Sequence, residues 1–140
     1  MSRSRYRHAF VALMAALLVL PGCASRAAVE GAVAFDGAPV DGGSITFLPS
    51  ESGSKRIQVS ADIVNGKYNL PAGKGPTPGS YRVQIIWNKK TGKQIDTPGD
   101  TGVKMDETVP VIPAQFNTDS KLSAEIKSGA NTVNFDLKSN

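Results

Sequence analysis

The side chains with the readiest chemistry are few in this sequence. Its 140 residues include one cysteine and one histidine, Cys23 and His8, and both fall within the first 23 positions. Everything after that segment lacks a thiolate nucleophile and an imidazole base. A Ser-Lys dyad or a carboxylate pair needs no histidine, but no serine or acid here has flanking residues that would activate it. The expectation is a protein that is not an enzyme. Neither G-x-x-x-x-G-K-[ST] nor a helix-opening G-x-G-x-x-G occurs, so no phosphate-cradling loop is expected and no cofactor is implied.

Three other groupings admit a binding role. Asp36 to Gly43, DGAPVDGG, sets two carboxylates among glycines. It lacks the regular oxygen spacing and distant bidentate Glu of an EF-hand, so it reads as a turn between strands. Asp96, Asp100, Asp106 and Glu107 would suit a hard cation only if they converged, and no recognised spacing makes them do so; no metal is expected. Lys89, Lys90 and Lys93 read as a solvated strand end rather than an anion site. Tyr81 and Trp87 are either a stacking platform for a sugar or part of the core. Like Tyr68, they share strand parity with the aliphatic residues, which favours burial.

The N-terminal segment speaks about location. Arg3, Arg5 and Arg7 precede Ala9 to Leu20, an uninterrupted apolar run of twelve residues. A membrane-spanning helix needs roughly 20 apolar residues, so this run reads as the centre of a cleaved export signal. The residues that follow, Leu20-Pro21-Gly22-Cys23, resemble a bacterial lipobox, with an aliphatic residue three places and a small residue one place before the cysteine. That resemblance implies cleavage between Gly22 and Cys23 and acylation of Cys23. Residues 1–22 are then a lipoprotein signal peptide, and residues 23–28 a lipidated cysteine with a short tether. Ordinary secretory cleavage nearby, leaving Cys23 as an odd thiol, is the alternative. Ala24 and Ser25, in place of an Asp after the cysteine, resemble lipoproteins forwarded to the outer membrane. The five residues from Ala24 to Ala28 reach at most roughly 18 Å, which keeps the domain close to the bilayer.

Signal removal takes away three of the 16 basic residues and none of the 12 acidic ones, so the net charge falls from +4 to +1. A surface this balanced has no cationic surplus with which to displace counterions from phosphate, and nucleic acid is not expected as a partner.

From Val29 onward, apolar residues recur with period two, the signature of half-buried strands. The pattern runs through Val29 to Phe35, Ser44 to Phe47, Ile57 to Ile63, Lys67 to Leu70, Tyr81 to Asn88, Leu122 to Lys127 and Val133 to Lys138. Asp36-Gly37, Asn65-Gly66 and Ser128-Gly129 supply turn chemistry. Seven short strands, each with one apolar side, bury those sides when two sheets pack face to face. The expected fold is therefore all-β, a seven-stranded antiparallel β-sandwich over residues 29–138. Residues 89–119 lack a strong strand pattern. They read as a long solvated loop whose end, Val109 to Phe116, folds back on the sandwich, with partner contact as the other reading.

Val29 to Phe47, VEGAVAFDGAPVDGGSITF, resembles the opening of carboxypeptidase regulatory-like domains. NGKYNL (65–70) and PGSYRVQI (78–85) resemble later elements of the same group, which is transthyretin-like in fold. The tail from Ile112 to Leu137 resembles small lipoproteins of planctomycete-type bacteria that carry this domain. The resemblance implies an accessory, non-catalytic module. Combined with the signal, it leads one to expect a protein held in the cell envelope by acylated Cys23 and serving as a structural or protein-interaction module for an envelope partner. A carbohydrate-binding module for envelope or extracellular glycans is the alternative, and it requires an exposed aromatic platform.

Overall fold

The computed structural model describes residues 25–139 apart from Ser52, Ser54 and Thr101. Each of the seven alternating segments contains a strand, but the described residues form eleven strands in all. They are β1 (Ala28–Phe35), β2 (Ala38–Pro39), β3 (Ser44–Pro49), β4 (Val59–Asp62), β5 (Lys67–Leu70), β6 (Gly79–Ile86), β7 (Asn88–Asp96), β8 (Lys104–Pro110), β9 (Ser123–Ile126), β10 (Ala130–Thr132) and β11 (Phe135–Leu137). One 3-10 turn, Ala114–Phe116, precedes β9. β2 and β10 escape the periodicity because neither buries a side chain, whereas the equally short β11 buries Phe135 and Leu137.

One sheet is built around β1. Residues Val29–Ala32 pair antiparallel with β5, and Ala34 and Phe35 pair antiparallel with β2. On its other side β1 runs parallel to β10 and then to β11. This corrects the expectation of a purely antiparallel fold. β9 ends beside the start of β6, where Gly129 O accepts from Ala28 N at 2.9 Å. From there the chain can only travel along β1 in β1's own direction. Ser128-Gly129 thus carries the chain from one sheet to the other rather than closing a hairpin. The second sheet has the order β4-β3-β6-β9 and is antiparallel throughout.

The two sheets face one another across a single apolar core, a sandwich-like all-β arrangement. Val29, Val33, Tyr68, Leu70, Phe135 and Leu137 come from the first sheet, and Ile45, Phe47, Tyr81, Val83, Ile85 and Ile126 from the second. Each such side chain contributes roughly 1.5–3 kcal/mol on leaving water. Phe47 lies at the centre, with its ring 6.0 Å from that of Tyr68 across the sheets and 6.4 Å, edge-on, from that of Tyr81. The buried phenols are satisfied, since Tyr68 donates to Val133 O at 2.7 Å and Tyr81 to Thr77 O at 2.8 Å.

β7 and β8 stand apart. They form a two-stranded antiparallel ribbon where an unpatterned loop was expected at 89–119. The loop reading failed for a physical reason. Every residue of β7 is exposed, so no burial pressure imposes apolar alternation, and a bulge interrupts the register between Lys90 and Gln94. After the ribbon the chain does fold back: Ile112 is buried, Val111 and Phe116 pack on the core, and Ser120 donates to Val83 O. Val109 stays exposed.

The sandwich has two distinct ends. Ala27 N donates to Pro76 O at 2.8 Å, so the N-terminal side of β1 lies where β6 is about to begin. β6 then runs eight residues to Ile86, roughly 27 Å at about 3.4 Å per residue. The ribbon leaves from that far end. There Gly43, at φ +84°, packs so tightly beneath the ribbon's base that a Cβ would come within 2.0 Å of Ile86 O.

Candidate interaction surface

The ribbon's two faces differ in chemistry. Residues in register share a face and alternate along each strand. One face carries Lys90 with Thr108, Gln94 with Asp106, and Asp96 with Lys104. Its charges neutralise one another: Lys90 Nζ lies 2.5 Å from Asp106 Oδ2, and Lys104 Nζ lies 2.5 Å from Asp96 Oδ1. The hydrogen bond and charge of Asp106 raise the Lys90 ammonium above its ordinary pKa, and those of Lys90 hold the Asp106 carboxyl below its own.

The other face is apolar. It carries Val109 beside Lys89 and Met105 beside Ile95. Thr97 N donates to Val103 O at 2.9 Å, which continues the same ladder and places Val103 on this face. Ile95, Val103, Met105 and Val109 are 41%, 50%, 44% and 46% exposed, high values for large aliphatic side chains that share one face. Thr91, Gly92 and Lys93 stand opposite Glu107 alone, and Thr91 Oγ1 donates to Glu107 Oε2 at 2.5 Å across the bulge.

This apolar face extends the core. In β6 the inward residues are Tyr81, Val83 and Ile85, and the same parity continues through buried Trp87 to Lys89. Lys89 Nζ sits 4.4 Å above the Trp87 ring, a cation–π contact that marks where covering ends and solvent begins. Past Trp87 the inner side of the second sheet runs on, but the first sheet no longer lies over it.

The remaining candidates resolve as follows. Gly22 and Cys23, with the whole signal and lipobox reading, lie outside the described residues. Asp36 and Gly37, at φ 50° and 81°, form a left-handed turn. The Asp36 carboxylate accepts from Ser139 Oγ at 2.6 Å and Ser139 N at 2.8 Å, which lowers its pKa and pins the C-terminal strand. Asp96, Asp106 and Glu107 each have their own partner, and among the described residues no three His, Cys, Asp or Glu side chains come together as a metal site. Tyr68, Tyr81 and Trp87 are buried, so none of them presents a flat aromatic platform. Burial also pushes the Tyr68 phenol well above its ordinary pKa.

A broad cleft of about 870 Å³ wraps the free edge of β5 toward β4. Its floor is largely apolar, with Ala61, Val64, Leu70 and Pro71 among the lining residues, and Glu30, Asp62, Lys67 and Lys74 add charges of both signs. The ribbon face was missed in the sequence although Val103, Met105 and Val109 recur with period two, because Glu107 interrupts the series. No family model, curated protein or solved structure matches the chain.

Proposed function

We propose that this chain is a non-enzymatic lipoprotein of the bacterial envelope. In this reading a carboxypeptidase regulatory-like, transthyretin-like sandwich serves as a rigid mount between an acyl anchor on Cys23 and a protein-binding arm, the β7–β8 ribbon. The observation that carries it is the disposition of the two ends. The N-terminal tether joins the sandwich where β6 begins, and the ribbon leaves where β6 ends. An anchor at Cys23, at most roughly 18 Å of chain away from the first strand, would hold that end at the bilayer and point the arm away from it. The ribbon supplies what a docking element needs, an exposed apolar strip backed by a self-neutralised polar face.

Cys23→Ser in the full-length protein, expressed in a lipoprotein-competent bacterium, should move the protein from the membrane to the soluble fraction while Trp87 fluorescence remains that of a buried indole. Continued membrane retention would count against the anchor. Cross-linking in intact membranes should recover protein attached to the arm. Recovery of glycan, with the arm unmodified, would instead support the carbohydrate-binding reading.

A further inference from the structure

We infer that the cleft between β4 and β5 is a second interaction site, separate from the ribbon, and that it takes an extended peptide segment of a partner protein carrying charges of both signs. The site is made by a hairpin that opens after one residue pair. Asn65 and Gly66, at φ 50° and 73°, form its tight turn, and Val64 and Lys67 exchange main-chain hydrogen bonds at 2.9 and 3.0 Å. The next pair would be Asp62 with Asn69, but β4 belongs to the second sheet and β5 to the first, and no ladder joins them. The arms diverge because each has inner residues to bury in the core, Val59 and Ile63 on one and Tyr68 and Leu70 on the other.

The opened arms leave main-chain groups at the cleft. Ile63 N donates to Gly43 O at 2.9 Å, so the odd-numbered residues of β4 exchange hydrogen bonds with β3, and the N–H and C=O of Ser60 and Asp62 point the other way. Gly66 O accepts from Val33 N at 2.8 Å, so Tyr68 and Leu70 bond to β1, and the main-chain groups of Asn69 point away from it. Ser60, Asp62 and Asn69 line the cleft and are exposed. Ser60 and Asp62 have the two-residue spacing with which a sheet edge accepts an added strand.

The side chains define the peptide. Ala61 is the small residue of β4's inner row, between buried Val59 and Ile63, and it lines the cleft with Leu70 and Pro71. A strand added to β4 sets an aliphatic side chain opposite Ala61 and turns the two flanking side chains outward, one to Ser60 and one to Asp62. A lysine matches Asp62, and a glutamate one outward position nearer the turn matches Lys67. Glu30 and Lys74 also line the cleft, and the ion pairs of the described residues lie elsewhere, so both signs are open to a ligand. A segment of one sign would meet repulsion as well as attraction. A sugar finds no ring to stack on, since Tyr68 in the lining is buried and its hydroxyl is bonded to Val133 O.

Two capped peptides, Ser-Val-Lys-Leu-Glu and its reverse Glu-Leu-Lys-Val-Ser, present this pattern for parallel and antiparallel addition. Titrated into the full-length protein, one of them should bind with a dissociation constant of about 10 μM to 1 mM. It should slow hydrogen exchange at the Asp62 amide while the amides of β7 and β8 keep their rates. N-methylation of the bonded peptide nitrogen, at valine in the parallel peptide or lysine in the antiparallel one, should weaken binding at least about fivefold. Asp62→Lys should weaken it by about as much, and exchanging the peptide's lysine for glutamate should restore it. Binding indifferent to both changes would overturn strand addition, as would the absence of saturable binding by either peptide at about 1 mM. Slowed exchange at Asp62 with N-acetylglucosamine oligomers and with neither peptide would overturn the peptide and move the site to the carbohydrate-binding reading.

Discussion

β6 and β7 are almost one continuous extended run, separated only by Trp87, yet they obey different constraints. In β6, Tyr81, Val83 and Ile85 are fully buried beneath the first sheet, whereas in β7 every residue is exposed. The backbone geometry is shared, and covering makes the difference. A covered strand gains its stability from the apolar surface that it removes from water. An uncovered two-stranded ribbon has little beyond its ladder hydrogen bonds and cross-strand pairs, and is marginal by itself. The first region is therefore suited to rigidity, and the second is free to be completed by something else.

The sharpest way to break this comparison is to empty one side chain in each region. Phe47→Ala removes the ring that joins Tyr68 and Tyr81 across the sheets, and should cost about 3–5 kcal/mol of unfolding free energy. Ile95→Ala, on the ribbon, should change the same quantity by no more than about 0.5 kcal/mol. Denaturant unfolding of the purified protein, followed by Trp87 emission, measures both. Comparable losses would mean that the ribbon folds as part of the core.

Backbone substitutions should separate the regions next. Gly43 and Gly92 both have φ +84°. An alanine at either pays the left-handed penalty of roughly 1–2 kcal/mol. At Gly92 the added Cβ meets nothing within 4 Å, while at Gly43 it would lie 2.0 Å from Ile86 O. Gly43→Ala should then destabilise the whole protein well beyond that penalty, because the strand pair at the ribbon's base has to move. Gly92→Ala should leave global unfolding nearly unchanged and weaken amide protection only within β7 and β8. A global effect from Gly92→Ala would show that the bulge supports more than the arm.

The same contrast explains what could be read from the sequence. Burial writes itself into a chain as period-two alternation, and the seven segments that alternate all contain strands. Parallel pairing of β1 with β10 and β11 was not legible, since it depends on where β9 ends in space. The ribbon was not legible as an element because nothing covers it. Lysines, a glycine bulge and Glu107 interrupt the only periodic signal, Val103-x-Met105. For the same reason the exposed aliphatic residues Ile95, Val103, Met105 and Val109 lay in the segment that read as a loop, while the aromatic pair that suggested a sugar platform, Tyr81 and Trp87, went to the core.

The smallest expected effect concerns the fixed charges, and it sharpens the comparison through pH. Asp106 on the ribbon and Asp36 at the sandwich end both titrate below the ordinary aspartate value of 3.8 in the folded protein, Asp106 because Lys90 pairs with it and Asp36 because Ser139 donates two hydrogen bonds. A lowered folded pKa means that each contribution is fully present above about pH 3.8 and is lost as pH falls through the folded value. Lys90, raised above 10.5, contributes below that pH and loses its contribution as pH rises through its own folded value. Between about pH 5 and 9 neither region should respond through these groups. Acidification toward pH 2–3 should lower amide protection factors at Lys90 and Thr108 and at the Ser139 end, while Val83 and Ile85, which have no titrating partner, stay protected. These groups lie at the surface, where solvent screens them, so the loss in an isolated ribbon should be small and local. Strong ribbon protection that survives acid would need another source of stability.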